Sequence, residues 1–360
     1  MPFIRWIGCI LVLAALLPAA AFGNSSPIED ALQKSAELKA QERYLEAVPH
    51  TEEALKLGVH EFGLIHPLVA KLLSQLAGLY AAAGQYGDAE PFYQRALEVQ
   101  VRLLGPDHLG VAASLSELAL NDQAQGRYGE AEAGFLRALA IVEKTHGPDN
   151  TLLTSFLNSL AELYLAEDRY AEAEPYYQRA LAIVEKAAGP MHDFVSYPLY
   201  KLTLLYQSQG KYADAEPLSE RLLAIREKAL GSNHPDVAQR LNELALLYRS
   251  LGKHAEAVPL SERPLEIREK VFGPEHPDVA ATLTTLARLH HDHGDHIVAE
   301  RLYRRALAID SKAPDELRPG AAETLRNYAD LLRQTGRDAE ADEWQARADA
   351  IREMRAEEIN

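Results

Sequence analysis

A single cysteine, Cys9, occurs in the 360 residues. Once the N-terminal segment around it is removed, the chain has no disulfide, no thiolate nucleophile and no cysteine metal site, so packing alone must hold it together. Basic charge is also short, since 37 Lys and Arg face 53 Asp and Glu for a formal net charge of −16. No basic run exceeds Arg304-Arg305. Nucleic acid and anionic lipid surfaces, which need clustered cations, are therefore excluded as partners. Catalytic signatures are missing too. Lys211 and Lys253 follow Gly210 and Gly252, but no glycine stands five residues ahead of either, so no phosphate loop forms. His60-Glu61 has Leu64 where a zinc-protease helix needs its second histidine, and no Gly-x-Ser-x-Gly elbow is present. A non-enzymatic protein is expected, with no cofactor.

Long apolar runs are confined to the start of the chain. Arg5 precedes an apolar stretch from Ile7 to Leu17, and Pro18 to Gly23 supplies small residues around a cleavage point. This is the layout of a secretory signal peptide, with cutting expected after Ala21 or Gly23. The apolar stretch is short for a membrane span of about 20 residues. A periplasmic or secreted protein, with no membrane insertion after cleavage, is the expectation.

What the rest of the chain contains is a period. Ala47, Ala89, Ala131, Ala173, Ala215, Ala257, Ala299 and Ala341 are each 42 residues apart. Five positions ahead of them stand Glu42, Gly84, Gly126, Asp168, Gly210, Gly252, Gly294 and Gly336. A spacing held over eight copies without insertion or deletion marks stacked units rather than one globular core.

One copy shows the unit. Leu73, Leu76, Ala77 and Tyr80 fall on one helical face, Gly84 ends that helix, and Tyr86, Ala89, Tyr93, Ala96 and Leu97 share a face of a second. Gly105-Pro106-Asp107 stops the second helix. The result is an αα-hairpin whose alanines let paired helices approach closely. A lone hairpin leaves apolar faces open, so neighbours must stack. Pro264, inside a second helix, is expected to bend it and alter the stack between the sixth and seventh copies. His66, His108, His192, His234 and His276 recur at one place in the linker, which argues for a shared structural task at the start of each first helix.

The run Leu76-Ala77-x-x-Tyr80…Gly84…Ala89…Tyr93…Ala96 resembles the tetratricopeptide repeat. The long unit and its linker, fullest in Gly273-Pro274-Glu275-His276-Pro277-Asp278, are similar to the kinesin-light-chain type. The resemblance covers about residues 27–350 and implies an all-α, right-handed superhelical solenoid of antiparallel helix pairs. The expected organisation is a signal peptide over 1–23, a capping repeat over 24–66, a seven-repeat array over 67–346 and a charged C-terminal cap over 347–360.

The resemblance further implies a scaffold that holds a protein or peptide along a concave groove lined by the first helices. Carried over position by position, the groove residues are Asn158, Tyr197, Tyr200, Gln207, Asn242, Arg249 and Arg288. An asparagine amide both donates and accepts, so it can pair with the backbone of an extended peptide of any sequence. Tyr197 and Tyr200 offer aromatic surface for an apolar side chain. A monomer is expected. The alternative is a metal-binding module built on the cluster from His290 to His296, which holds four imidazoles and two carboxylates.

Overall fold

A computed structural model describes residues 26–312 and 319–359. The signal-peptide segment lies outside the described residues. Among those described, every regular element is helical: α1 Pro27–Ala40, α2 Tyr44–Phe62, α3 Pro67–Ala82, α4 Tyr86–Leu104, α5 Leu109–Ala124, α6 Tyr128–His146, α7 Leu153–Ala166, α8 Tyr170–Ala188, α9 Ser196–Ser208, α10 Tyr212–Leu230, α11 Pro235–Ser250, α12 His254–Phe272, α13 Pro277–His293, α14 His296–Asp310, α15 Pro319–Gln334 and α16 Asp338–Ile359, with a 3₁₀ turn at Asp193–Val195. Odd-numbered helices are the first of each hairpin and even-numbered ones the second. Residues 347–359 continue α16. No described helix is long and apolar enough to cross a membrane.

The chain divides into two compact units, one ending at Thr145 and the other beginning at His146. In the first, Ala47 and Val48 of α2 pack with Leu76 and Leu79 of α3, while Val69, Ala70 and Leu73 of α3 pack with Ala96 and Val99 of α4. In the second, Ala215 of α10 joins Leu244 and Leu247 of α11, and Val279, Ala280 and Leu283 of α13 join Ala306 and Ile309 of α14. Each core cluster thus spans neighbouring helices, so a hairpin is completed by the next one. All eight period-marking alanines are 0% exposed. A larger side chain at any of them would have to separate two helix axes.

Local chemistry fixes both ends of the first helices. His66, His108, His192, His234 and His276 each use Nδ1 to accept a backbone N–H two residues ahead, at 3.0–3.2 Å. These are N-caps, and they supply the shared task the recurrence implied. At the other end, Gly210 has φ +70°, and Lys211 N–H then reaches back to the carbonyl of Tyr206 at 2.8 Å. Glu42 and Asp168 adopt the same left-handed conformation without being glycine, at φ 61° and 57°.

Pro264 does not interrupt its helix. α12 runs unbroken through Pro264 and is 19 residues long, like α4, α8 and α10. Pro49, Pro91, Pro175, Pro217 and Pro259 also lie inside second helices. Pro264 is buried, so the packing around it holds the helix across the one lost backbone bond.

Candidate functional site

All seven residues expected to line a groove lie in the C-terminal unit, on first helices: Asn158 on α7; Tyr197, Tyr200 and Gln207 on α9; Asn242 and Arg249 on α11; Arg288 on α13. The first helices touch one another directly, α11 against α13 and α13 against α15. Side chains at matching register on successive repeats are thereby brought onto one face of the unit.

Their surroundings differ. Asn158 is half-buried and Asn242 buried, and each has an Oδ1 shielded from solvent and without a hydrogen-bond partner. Asn121 shares the unpartnered Oδ1 but spends its Nδ2 on the carbonyl of Tyr86 at 3.1 Å. Tyr197 is committed through its hydroxyl, which donates to Glu162, and burial followed by the Glu162 charge pushes its phenol above the ordinary range. Lys201, buried, pairs with the same Glu162 at 2.8 Å and lies 5.4 Å from the centre of the Tyr197 ring. Tyr200 has one ring face covered by the Arg240 guanidinium at 4.5 Å. Gln207 sits half-buried in the last turn of α9. Arg249 donates from Nε to Asp292, and Arg288 faces Glu323 at 3.5 Å.

Arg249 and Arg288 are therefore each paired with a carboxylate on the next first helix. Burial pushes the Glu243 carboxyl above its usual range, even with Arg240 2.6 Å away. The Glu162–Lys201–Tyr197 network was not legible in the sequence, because Lys201 stands 39 places from Glu162 and nothing local links them. The repeat register would have found it, since 162 and 201 differ by one period less three.

The His290–His296 cluster disperses. His290 Nδ1 meets Asp295 at 3.3 Å, His291 turns inward, His293 is exposed, and His296 opens α14 with its ring edge-on to His291 at 5.7 Å. Among the described residues no three His, Cys, Asp or Glu side chains come together to hold a metal ion. The sequence proximity fails because consecutive residues of a helix end point in different directions.

Stacked antiparallel helix pairs with such a face define the class of helical repeat solenoids. The tetratricopeptide-repeat profile matches residues 31–100, 68–144, 110–186, 152–228, 194–270 and 241–312. The chain belongs to the tetratricopeptide-repeat family. Its fold is similar to that of BtubC (BKLC) from P. vanneervenii, at 24% identity over 69% of this chain and 94% of that one, with a TM-score of 0.53. It is also similar to the apo form of RapI, at 13% identity over 92% and 99%, with a TM-score of 0.62. Aspartyl phosphate phosphatase F from Bacillus subtilis matches at 12% identity over 93% and 96%, with a TM-score of 0.53. No curated protein matches. The repeats mark a protein–protein interaction scaffold.

Proposed function

We propose that the first-helix face of the C-terminal unit binds an extended polypeptide segment of a partner protein outside the cytoplasm, in the periplasm or the medium. One observation supports this most. Asn158 and Asn242 stand at the same register two repeats apart, each with an Oδ1 that has no hydrogen-bond partner within the chain. A shielded amide oxygen left without a partner is costly, on the order of 1–3 kcal/mol, and a backbone N–H of an incoming peptide would supply the donor it lacks. The internal neutralisation of Lys201, Arg240, Arg249 and Arg288 favours recognition of backbone and shape over recognition of net charge. The role is binding and not catalysis.

Capture from an envelope extract tests this, using the full chain beside an Asn158→Ala plus Asn242→Ala variant. The substituted protein is expected to lose its ligands while keeping its helical circular dichroism. Equal capture by both would refute the groove assignment. Export is checked by N-terminal sequencing of the mature protein, expected to begin at Phe22 or Asn24.

A further inference from the structure

In seven hairpins a side chain just ahead of the first helix accepts a backbone N–H. Two of these acceptors are oxygens: Ser26 Oγ takes the Glu29 N–H at 3.2 Å and Asn150 Oδ1 takes the Leu152 N–H at 2.9 Å. The other five are the Nδ1 atoms of His66, His108, His192, His234 and His276. Histidine is not among the residues preferred as helix caps, and Asn150 shows that an amide serves at this place in the linker. What an imidazole adds is an acceptor that a proton can remove.

The lone pair decides the response. A neutral ring with its proton on Nε2 accepts through Nδ1. A second proton occupies Nδ1, ends the hydrogen bond and leaves a cation at the positive end of the helix macrodipole. The cap therefore stabilises the folded chain while the ring is neutral, and acid weakens it.

The rings are open to protons, since His108, His192 and His234 are exposed and His66 and His276 half-buried. Phe62 stacks on His66 at 4.5 Å, Phe272 stacks on His276, and Phe194 meets His192 edge-on at 4.5 Å. Gln100 of α4 and the His108 ring both lie against Gly110. The acids next to the caps are already engaged: Asp107 by Lys144, Asp193 by Arg226, and Asp236 by Arg226 and Arg240. Asp278 differs, with its carboxylate 3.8 Å from the His276 Nδ1. An imidazolium at His276 gains an ion pair there, so this cap responds least.

We propose that the five histidine caps are a pH-sensitive latch on the repeats. Neutral rings fasten the starts of α3, α5, α11 and α13 and of the 3₁₀ turn that leads into α9, and mild acid releases them together. The latch acts within each unit, through His66 and His108 in the first and His192, His234 and His276 in the second. It does not rest on polypeptide binding along Asn158 and Asn242.

The full chain is compared with a variant carrying His66→Asn, His108→Asn, His192→Asn, His234→Asn and His276→Asn, by urea denaturation at about pH 7.5 and about pH 5. The native chain is expected to lose at least about 0.5 M in midpoint between the two, and the variant less than half of that. Amide exchange in the native chain, corrected for its intrinsic pH dependence, reads the caps directly and decides the matter where the variant does not fold. The N–H groups of Leu68, Gly110, Phe194 and Asp236 are expected to lose protection at least about fivefold in acid, whereas that of Leu152, capped by Asn150, is expected to keep it. The proposal is overturned by equal midpoint losses in the two proteins, or by protection that falls as far at Leu152 as at the four histidine-capped amides.

Discussion

Arg337 donates from Nη1 to Glu300 Oε1 at 2.7 Å, across 37 residues, and so joins the turn of the last hairpin to the second helix of the hairpin before it. The same offset recurs within each unit, as Arg127 to Glu90 at 2.8 Å in the first and as Lys253 to Glu216 in the second. Lys253 also lies over the Tyr248 ring, 5.1 Å from its centre. One cation therefore sets both the turn of its own hairpin and the register on its neighbour.

The hydrogen bond from Arg337 holds the Glu300 carboxyl below the usual carboxylate range, against the opposing effect of burial. A depressed folded-state value means that the stabilisation is complete above the ordinary carboxylate range and is lost as pH falls through the folded value. Glu300→Gln is expected to destabilise the protein by about 1 kcal/mol at pH 7, with the gap closing below about pH 4. Urea denaturation at the two pH values reads this directly. Identical midpoints at pH 7 would show the pair to be energetically silent.

The histidine caps make a second prediction. A ring that accepts a backbone N–H through Nδ1 must leave that nitrogen unprotonated, because imidazolium has no lone pair to offer. Replacing His234 or His276 with Ala is expected to cost about 1 kcal/mol each, whereas Asn, which caps through its side-chain oxygen, is expected to restore most of the loss. Thermal denaturation of the two series checks the expectation. Equal losses for Ala and Asn would mean that ring packing, such as the stacking of His276 on Phe272 at 4.7 Å, matters and the cap does not.

Much of this architecture was legible because the burial repeats with the chain. A position that must be small in one hairpin must be small in all, and Ala47 to Ala341 therefore announce the core. The turn was legible for a related reason, since a left-handed residue selects glycine in most copies. The side-chain pairings were not, because Arg268 bonds Gln239 within its own hairpin at 2.7 Å and Thr282 of the next hairpin at 2.5 Å through geometry that no local pattern encodes.

The two non-glycine turns offer a third prediction. A side chain in the left-handed region is strained by roughly 1 kcal/mol. Glu42→Gly is expected to stabilise the first unit by about 0.5–1 kcal/mol. Asp168→Gly is expected to yield less, because the Asp168 carboxylate accepts the Tyr170 hydroxyl at 2.8 Å. Equal gains in unfolding free energy for the two variants would deny that hydrogen bond any weight.

Tyr177 and Tyr303 are both 0% exposed, and neither hydroxyl has a partner. Burial pushes both phenols above the ordinary range, so they stay neutral at any working pH. Removing an unsatisfied hydroxyl relieves a desolvation cost, and Tyr177→Phe and Tyr303→Phe are expected to be neutral or stabilising by up to about 1 kcal/mol. Tyr328 is the control, because its hydroxyl accepts from Arg304 Nε at 2.9 Å and donates to Glu300 at 3.2 Å. Tyr328→Phe is expected to cost about 1 kcal/mol. The contrast fails if all three shift the denaturation midpoint in the same direction.

Gly134, in the middle of α6, sets helix propensity against packing. Alanine is favoured over glycine in a helix interior by about 1 kcal/mol, which alone would make Gly134→Ala stabilising. A Cβ at this position would lie 2.9 Å from the Cβ of Ala119 on α5 and 3.4 Å from the Leu115 carbonyl oxygen. The first neighbour is a methyl carbon fixed to its own backbone, and the second is backbone itself, so neither can rotate away. Separating two packed helices to admit one methyl group costs on the order of 1–3 kcal/mol. The packing effect is the larger, and Gly134→Ala is expected to lower the unfolding free energy of the first unit. Pairing it with Ala119→Gly removes the clashing methyl and is expected to recover most of the loss, as a double-mutant cycle would show. A stabilised single variant would mean that α5 and α6 can move apart at negligible cost, which is not expected where Ala119 is 1% exposed.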